Sequence, residues 1–304
     1  MNQSQYKTKL HSAVIVGEID PKQIEALAAA GIEGVEMRGA NVDVAKAREA
    51  RRIAEANGIK IHSLMCGASL NVESEVEPGL ERMKNGLRVA SAYGASSMLC
   101  VPGRVDAPNL KPWEFKIEFD PETLEVSRVC DGDNAPHAKY IAEQNKATVA
   151  ARRYLPEVLS VAAYEGVTIG LENVWNNLWC APELYAAFVR SFDNARVRSY
   201  FDLGNFVKYA PTEDWLRALG KDSIVKLHFK DFLLDKNQGA GGRFVPCGLG
   251  SNNWKSIRDA LEEIEYSGFV TIEFEEQESM KLSNEQQARK FQNFFNGVDL
   301  LEGV

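Results

Sequence analysis

Four apolar segments of this 304-residue chain each carry one acid or imidazole out of step with its neighbours. In VTIGLEN the residues Val167, Ile169 and Leu171 share one parity and Glu172 takes the other. In VRSYFDLGN, Asp202 alternates against Val197, Ser199, Phe201 and Leu203. His228 stands in the same way against Val225, Leu227 and Phe229 in IVKLHFKD, and Glu273 against Val270, Ile272 and Phe274 in FVTIEFEE. Successive side chains of a β-strand point to opposite faces, so all four polar groups are expected on the face away from the apolar set. Three carboxylates converging in a low-dielectric space repel one another and tend to protonate unless a cation compensates them. A divalent metal resolves that conflict. One imidazole with three carboxylates suits Mn2+, the expected ion, or Mg2+, Co2+ or Zn2+, and does not suit a soft-metal thiolate site.

The elements that must position these residues follow a regular rhythm. Short β-rich runs at 13–17, 34–38, 60–65, 97–101, 167–173, 197–203, 224–229 and 269–274 alternate with segments of helical period at 21–30, 42–57, 80–93, 138–165, 182–191, 212–219, 254–266 and 284–297. Pro21 and Pro182 fit first-turn positions, and Gly31, Gly58, Gly94, Gly166, Gly220 and Gly268 fit just past helix ends. Eight βα units predict an α/β fold, a closed (β/α)8 TIM barrel forming a single domain over 1–304. No G-x-G-x-x-G follows the first strand, which argues against an open doubly wound sheet. Two stretches break the rhythm: 104–137, with four prolines and many charges, and the glycine-rich 233–253. Both follow strands, on the side where barrels build their sites.

Composition excludes several classes. Net charge is −8, from 35 basic and 43 acidic residues, with no basic run to track a phosphate backbone, so nucleic acid is not an expected partner. No segment has the roughly 18 apolar residues of a membrane helix, and the amino terminus has no apolar run of signal-peptide length. A cytoplasmic location is expected, with no membrane partner; assembly into a homo-oligomer is left open. Cys66, Cys100, Cys130, Cys180 and Cys247 are widely spaced and form no C-x-x-C pair, so they are read as packing thiols without chemistry.

The segments IGLENVWN, YFDLGNFVKY, EDWLRALG, VKLHFKDF, RFVPCGLGSNNW and YSGFVTIEFE resemble the sugar-phosphate isomerase/epimerase superfamily of xylose isomerase-like TIM barrels, and within it the ketose 3-epimerases and hexulose-phosphate isomerases. The likeness extends over most of the chain and is strongest from residue 167 onward. It implies that Glu172, Asp202, His228 and Glu273 ligate one metal, and that Arg243 lies beside the metal and the substrate oxygens. Glu275 rivals Glu273, but the spacing from Gly268 favours Glu273. The implied reaction removes the proton beside a ketone to give an enediolate, with Glu172 and Glu273 as acid–base pair on opposite sides of the carbon. The substrate implied is a small sugar or sugar phosphate. Further substrate contacts are expected from Glu36 in GVEMRG, unless it pairs with Arg38 or Arg104, and from His62, unless it is a satisfied core histidine. Trp175 and Trp179 are candidates for a sugar pocket, while Trp254 is read as packing; His11 and His137 are placed on the surface.

Two other activities share this resemblance. Dehydratases of cyclic polyols or keto compounds use the same metal set. Apurinic endonucleases of the same superfamily use three zinc ions and extra histidines; here Asn205 and the Arg243–Phe244–Val245 run occupy the corresponding places, and the chain has four histidines in all. Lys208, Lys226, Lys230 and Arg104 are the cations available to a substrate phosphate, though lysines at strand ends more often make ion pairs.

Overall fold

The computed structural model describes residues 6–273 and 282–303; Phe274 and Glu275 lie outside them. Eight strands alternate with helices: β1 Leu10–Val16, β2 Gly34–Met37, β3 Lys60–Met65, β4 Ser97–Cys100, β5 Thr168–Glu172, β6 Val197–Asp202, β7 Ile224–Phe229 and β8 Gly268–Ile272. They form a closed parallel barrel in which each strand pairs with the next and β1 pairs with β8. The α/β barrel expected from the rhythm is therefore the fold. Strand residues such as Val35, Leu64, Ile169, Leu227 and Val270 are fully buried, and the helix layer covers them.

The helices are α1 Pro21–Ala29, α2 Val44–Ala56, α3 Glu73–Tyr93, α4 Ala138–Tyr154, α5 Leu159–Glu165, α6 Pro182–Arg190, α7 Thr212–Leu219, α8 Trp254–Glu263 and α9 Asn284–Asn296. Asp20, Asp43 and Asn253 cap α1, α2 and α8 by accepting from the backbone N–H three residues on. The expected helix over 138–165 is interrupted: a 3-10 turn at Leu155–Val158 separates α4 from α5, because Pro156 has no N–H to continue the ladder. His137, expected on the surface, is buried beside the start of α4. Four of the five cysteines are buried and none is bonded to another. Burial pushes the Cys66 thiol up to about 11, away from reactivity.

Register fixes what fills the barrel. Glu172 pairs with Tyr200, Tyr200 with Lys226, Asp202 with His228, and His228 with Thr271, so these side chains share the inner face. Two bulges depart from strict alternation. One shifts the β2–β3 register opposite 61–63 and turns both His62 and Ser63 inward, where His62 stacks on Phe269. The other, between Ser199 and Tyr200, sends Val225 inward rather than onto the apolar outer face with Leu227 and Phe229.

Both irregular stretches lie on the carboxyl side of the barrel. The first contains a two-stranded hairpin, Glu118–Phe119 with Val126–Arg128. The second, read from sequence as a loop, contains an antiparallel ribbon, Asp231–Leu234 with Gly242–Val245. They meet: the α-carbon face of Gly241 lies against Pro112 and Trp113, and the Lys236 ammonium is 5.4 Å from the Trp113 ring centre. Asp231 ties the ribbon down, accepting from the N–H groups of Gly248 and Gly250 and from Trp254 Nε1. Among the described residues no helix is long and apolar enough to cross a membrane.

Gly170 sits on the inner face two residues below Glu172. A methyl group there would lie 2.9 Å from Tyr200 Cβ and 3.0 Å from Val225 Cγ1. Gly170→Ala should therefore destabilise the barrel by about 1–3 kcal/mol, the usual cost of overpacking. Denaturant unfolding checks this, and an unchanged midpoint would contradict the close packing described.

Candidate metal centre

The carboxyl ends of β5, β6 and β7 and the residue after β8 deliver Glu172, Asp202, His228 and Glu273 to one place. Each offers a ligand atom, and these atoms all lie within 4.8 Å of one another. Nδ1 of His228 is 3.2 Å from Glu172 Oε1, 3.0 Å from Glu273 Oε2 and 3.9 Å from Asp202 Oδ2. Its other ring nitrogen, Nε2, lies 3.1 Å from Glu36 Oε2, which also accepts from the Tyr200 hydroxyl. A proton on Nε2, donated to Glu36, leaves the Nδ1 lone pair facing the three acids. That is the tautomer a metal requires, held by the kind of outer carboxylate that orients ligating histidines.

Asp202 is held from the opposite direction. Its Oδ1 accepts from the backbone N–H groups of Gly204 and Asn205 at 2.8 and 2.6 Å, and Asn173 brackets its main chain with a donated and an accepted bond. Oδ2 makes no hydrogen bond. Lys230 Nζ lies 3.2 Å from Glu273 Oε1 and 3.7 Å from Asp202 Oδ2. Glu273 Oε2, although near His228, is not aligned to accept from it and is likewise unsatisfied.

The electrostatics express a shortage of positive charge. Burial pushes the Asp202 carboxyl up to about 7, with Glu273 and Glu172 adding repulsion that Lys230 and His228 only partly offset. Burial works against a charged His228, yet the charge of Glu36 and the Glu172 and Glu273 carboxylates close to Nδ1 carry it well above the ordinary imidazole value. For Glu273 burial is outweighed by His228 and Lys230, which hold it well below the ordinary glutamate range. The three carboxylates at the carboxyl end thus face Lys230 and, when it is protonated, His228, while Glu36 behind the imidazole also has Lys226 toward it. That shortage of positive charge among the three carboxylates, together with unsatisfied oxygens on Asp202 and Glu273, fits a divalent cation held by three carboxylates and one imidazole.

The other sequence candidates fall in different places. Glu36 is wholly buried, on the side of the His228 ring away from Glu172 and Glu273. It pairs with neither Arg38 nor Arg104 among the described residues; its Oε2 lies against His228 Nε2 and accepts from the Tyr200 hydroxyl. His62 is inward and fully buried, 3.1 Å from Thr271 Oγ1 and stacked on Phe269 with ring centres 4.4 Å apart. Burial and the Lys226 charge hold its pKa well below the ordinary value, so it stays neutral and belongs to the core. Arg243 is exposed on the ribbon without an ion pair or side-chain hydrogen bond among the described residues. Its neighbour Phe244 is the ribbon residue near the centre, 4.8 Å from Lys230 Nζ and packed on Trp175 at 4.8 Å. Trp179 is buried against Phe188 and donates to Thr148, so it is no pocket wall. Trp254 packs on Phe229 and Phe294 as expected.

Tyr200, Asn173 and Lys230 were not singled out from sequence as supports of the site. Each stands beside or two residues from a ligand, in LEN, YFD and HFK, which is the signal that was available.

A family model described as a xylose isomerase-like TIM barrel matches residues 24–296. An uncharacterized protein of Methanocaldococcus jannaschii is 27% identical over 124 residues, 39% of this chain, and the match spans 41% of that relative. Among solved structures, a D-tagatose 3-epimerase-like protein superposes with a TM-score of 0.68 at 15% identity, over 94% of this chain and 96% of that one. An IOLI protein with a binding zinc atom gives 0.67 at 15% identity, over 93% and 96%. At such identities the likeness is one of fold.

The crowded carboxylates make opposite demands on stability and binding. Asp202→Asn should raise the melting temperature in the presence of a chelator, by removing one buried charge from the crowded set, and should abolish the rise that added Mn2+ gives the wild type. Glu36→Gln should keep the fold and weaken Mn2+ by about 10–100-fold through loss of the His228 support. Calorimetric titration and thermal melts read both; an Asp202→Asn protein that melts lower in chelator, or a Glu36→Gln protein with wild-type affinity, would contradict the arrangement.

Proposed function

From the membership of this chain in the xylose isomerase-like TIM-barrel family, we propose that it is a metal-dependent isomerase or epimerase of a small ketose or ketose phosphate. Glu172 and Glu273 are its acid–base pair and, with Asp202 and His228, its metal ligands. The observation that supports this best is the difference in exposure within one cluster. The side chains of Asp202 and His228 are 0% exposed, whereas those of Glu172 and Glu273 are 9% and 28% exposed. The two buried groups suit pure ligation, and the two that open toward the carboxyl side suit groups that also meet a substrate.

The ion, Mn2+ by preference with Mg2+, Co2+ or Zn2+ as alternatives, supplies Lewis acidity that makes the carbon beside a carbonyl acidic. The D-tagatose 3-epimerase-like and zinc-bearing neighbours are consistent with such a site. The chain's own residues do the rest. Glu273, held ionised beside the Lys230 ammonium, is ready to take the proton from that carbon. Glu172, on the neighbouring side of the cluster, delivers a proton to the opposite face for epimerisation; return to the adjacent carbon gives the aldose–ketose exchange. Lys230 keeps its charge beside Glu273 and so stabilises the carboxylate against premature protonation. Trp175 and Phe244 form an aromatic wall, and the 104–137 insertion meeting the ribbon shields the reacting carbon from water. Arg243 is assigned to the outer hydroxyls of the substrate.

In D2O the metal-loaded protein should place deuterium at the carbon alpha to the carbonyl of a five- or six-carbon ketose or its phosphate. Glu172→Gln and Glu273→Gln should each lower kcat by roughly three orders of magnitude or more while the fold persists, since an amide cannot accept the proton. Turnover within about tenfold of wild type in either variant would remove that residue from the pair. Loss of water without solvent exchange into unreacted ketose would assign a dehydratase instead.

A further inference from the structure

The cations on the carboxyl side of the barrel divide into two groups. Most are committed to acids: Lys230 to Asp202 and Glu273, Lys139 to Asp106 and Glu143, Lys116 to Asp131, and Arg128 to Glu118. Lys208 is different. It follows β6 by six residues, is only half-exposed, and makes no ion pair or side-chain hydrogen bond among the described residues. Its ammonium lies 3.5 Å from the ring centre of Trp175 and 5.2 Å from that of Tyr209. Burial lowers its pKa to about 8, the direction of a cation without a counter-anion.

Trp175 ties this lysine to the metal centre. Its indole N–H donates to Asn205 O, three residues past Asp202, and its ring packs on Phe244, which in turn lies beside Lys230. Arg104 after β4 and Arg243 after β7 are also exposed without ion pairs among the described residues. Desolvating an ammonium on an aromatic ring without a carboxylate is costly unless an anion completes the site.

We propose that Lys208, seated on Trp175, is an anion subsite that selects a substrate carrying a terminal phosphate or carboxylate over the neutral ketose. This rests on the isomerase reading above for the identity of the reacting end, while the anion contact itself is independent of turnover. Lys230 cannot serve the same purpose, because the acids of the metal centre already engage it.

Two measurements separate the claims. Inorganic phosphate titrated calorimetrically into the Mn2+-loaded protein should bind saturably, with affinity reduced by about 10–100-fold in Lys208→Met and largely retained in Lys208→Arg, as expected for a charge-assisted contact. Equal phosphate affinity in wild type and Lys208→Met would overturn the subsite whatever the enzyme catalyses. Solvent exchange is then measured for a ketohexose, its terminal phosphate ester and the corresponding ketouronic acid. The ratio of kcat/KM for the preferred anionic substrate to that for the neutral sugar should fall by a similar factor in Lys208→Met, mainly through KM, and the two anionic substrates distinguish phosphate from carboxylate. An unchanged ratio, or a wild type that prefers the neutral ketose, overturns the proposal. Exchange into none of the three, with phosphate binding still dependent on Lys208, contradicts the isomerase reading and leaves the subsite standing.

Discussion

Carboxylates brought together out of water need positive charge, and the carboxyl end of this barrel is organised around that requirement. Glu172, Asp202 and Glu273 lie within reach of one another, with Glu36 just beneath; Lys230 and His228 oppose them, and Lys226 lies toward Glu36. Each group is held so that it cannot relieve the repulsion by turning away. Asp202 is fastened at one oxygen by two backbone N–H groups, and His228 is fastened at one nitrogen by Glu36, itself bonded to Tyr200. What remains free on each is the atom aimed at the common centre. Such preorganisation is unfavourable for the protein alone and favourable once a divalent ion is bound, which couples metal affinity to folding.

The parallel ladder makes this arrangement possible. Neighbouring strands in register place Asp202 beside His228 and His228 level with Thr271, so a ligand on one strand determines the height of the next. Gly170 leaves room for Tyr200 below Glu172, and Tyr200 then reaches across the barrel to Glu36. In the proposed reaction the residues nearest the opening would move protons, while the residues beneath hold them in place. On that reading the reacting groups stand on barrel strands, and substrate preference is left to the proposed aromatic wall and the Lys208 subsite.

Much of this was legible in the sequence because two periods coincide there. The alternation of strand and helix gave eight βα units, and within four strands an acid or imidazole broke the alternation of apolar residues. Where the reading departed from the structure, a local rule had been broken. Val225 points inward at a bulge that shifts parity by one residue, which no period of two can show. Glu36 sits on an inward position as alternation implies, but its depth, and hence its partnership with His228 rather than with a sugar or an arginine, depends on barrel register. The ribbon at 231–245 was hidden by its glycines, and its anchor Asp231 collects donors from residues 17 to 23 positions away. Trp179 and His137 are buried by the packing of α4 and α6 elements around the first insertion, a tertiary contact without a sequence period.

The central claim is that one divalent ion sits among Glu172, Asp202, His228 and Glu273, bound through Nδ1 of the imidazole. Crystals grown with Mn2+ and measured at its absorption edge test it most directly. A single strong anomalous peak is expected within about 2.0–2.3 Å of one oxygen of each carboxylate and of His228 Nδ1, with Nε2 still bonded to Glu36. A strong peak elsewhere with none among these four residues, or coordination through Nε2 with Glu36 released, would contradict it.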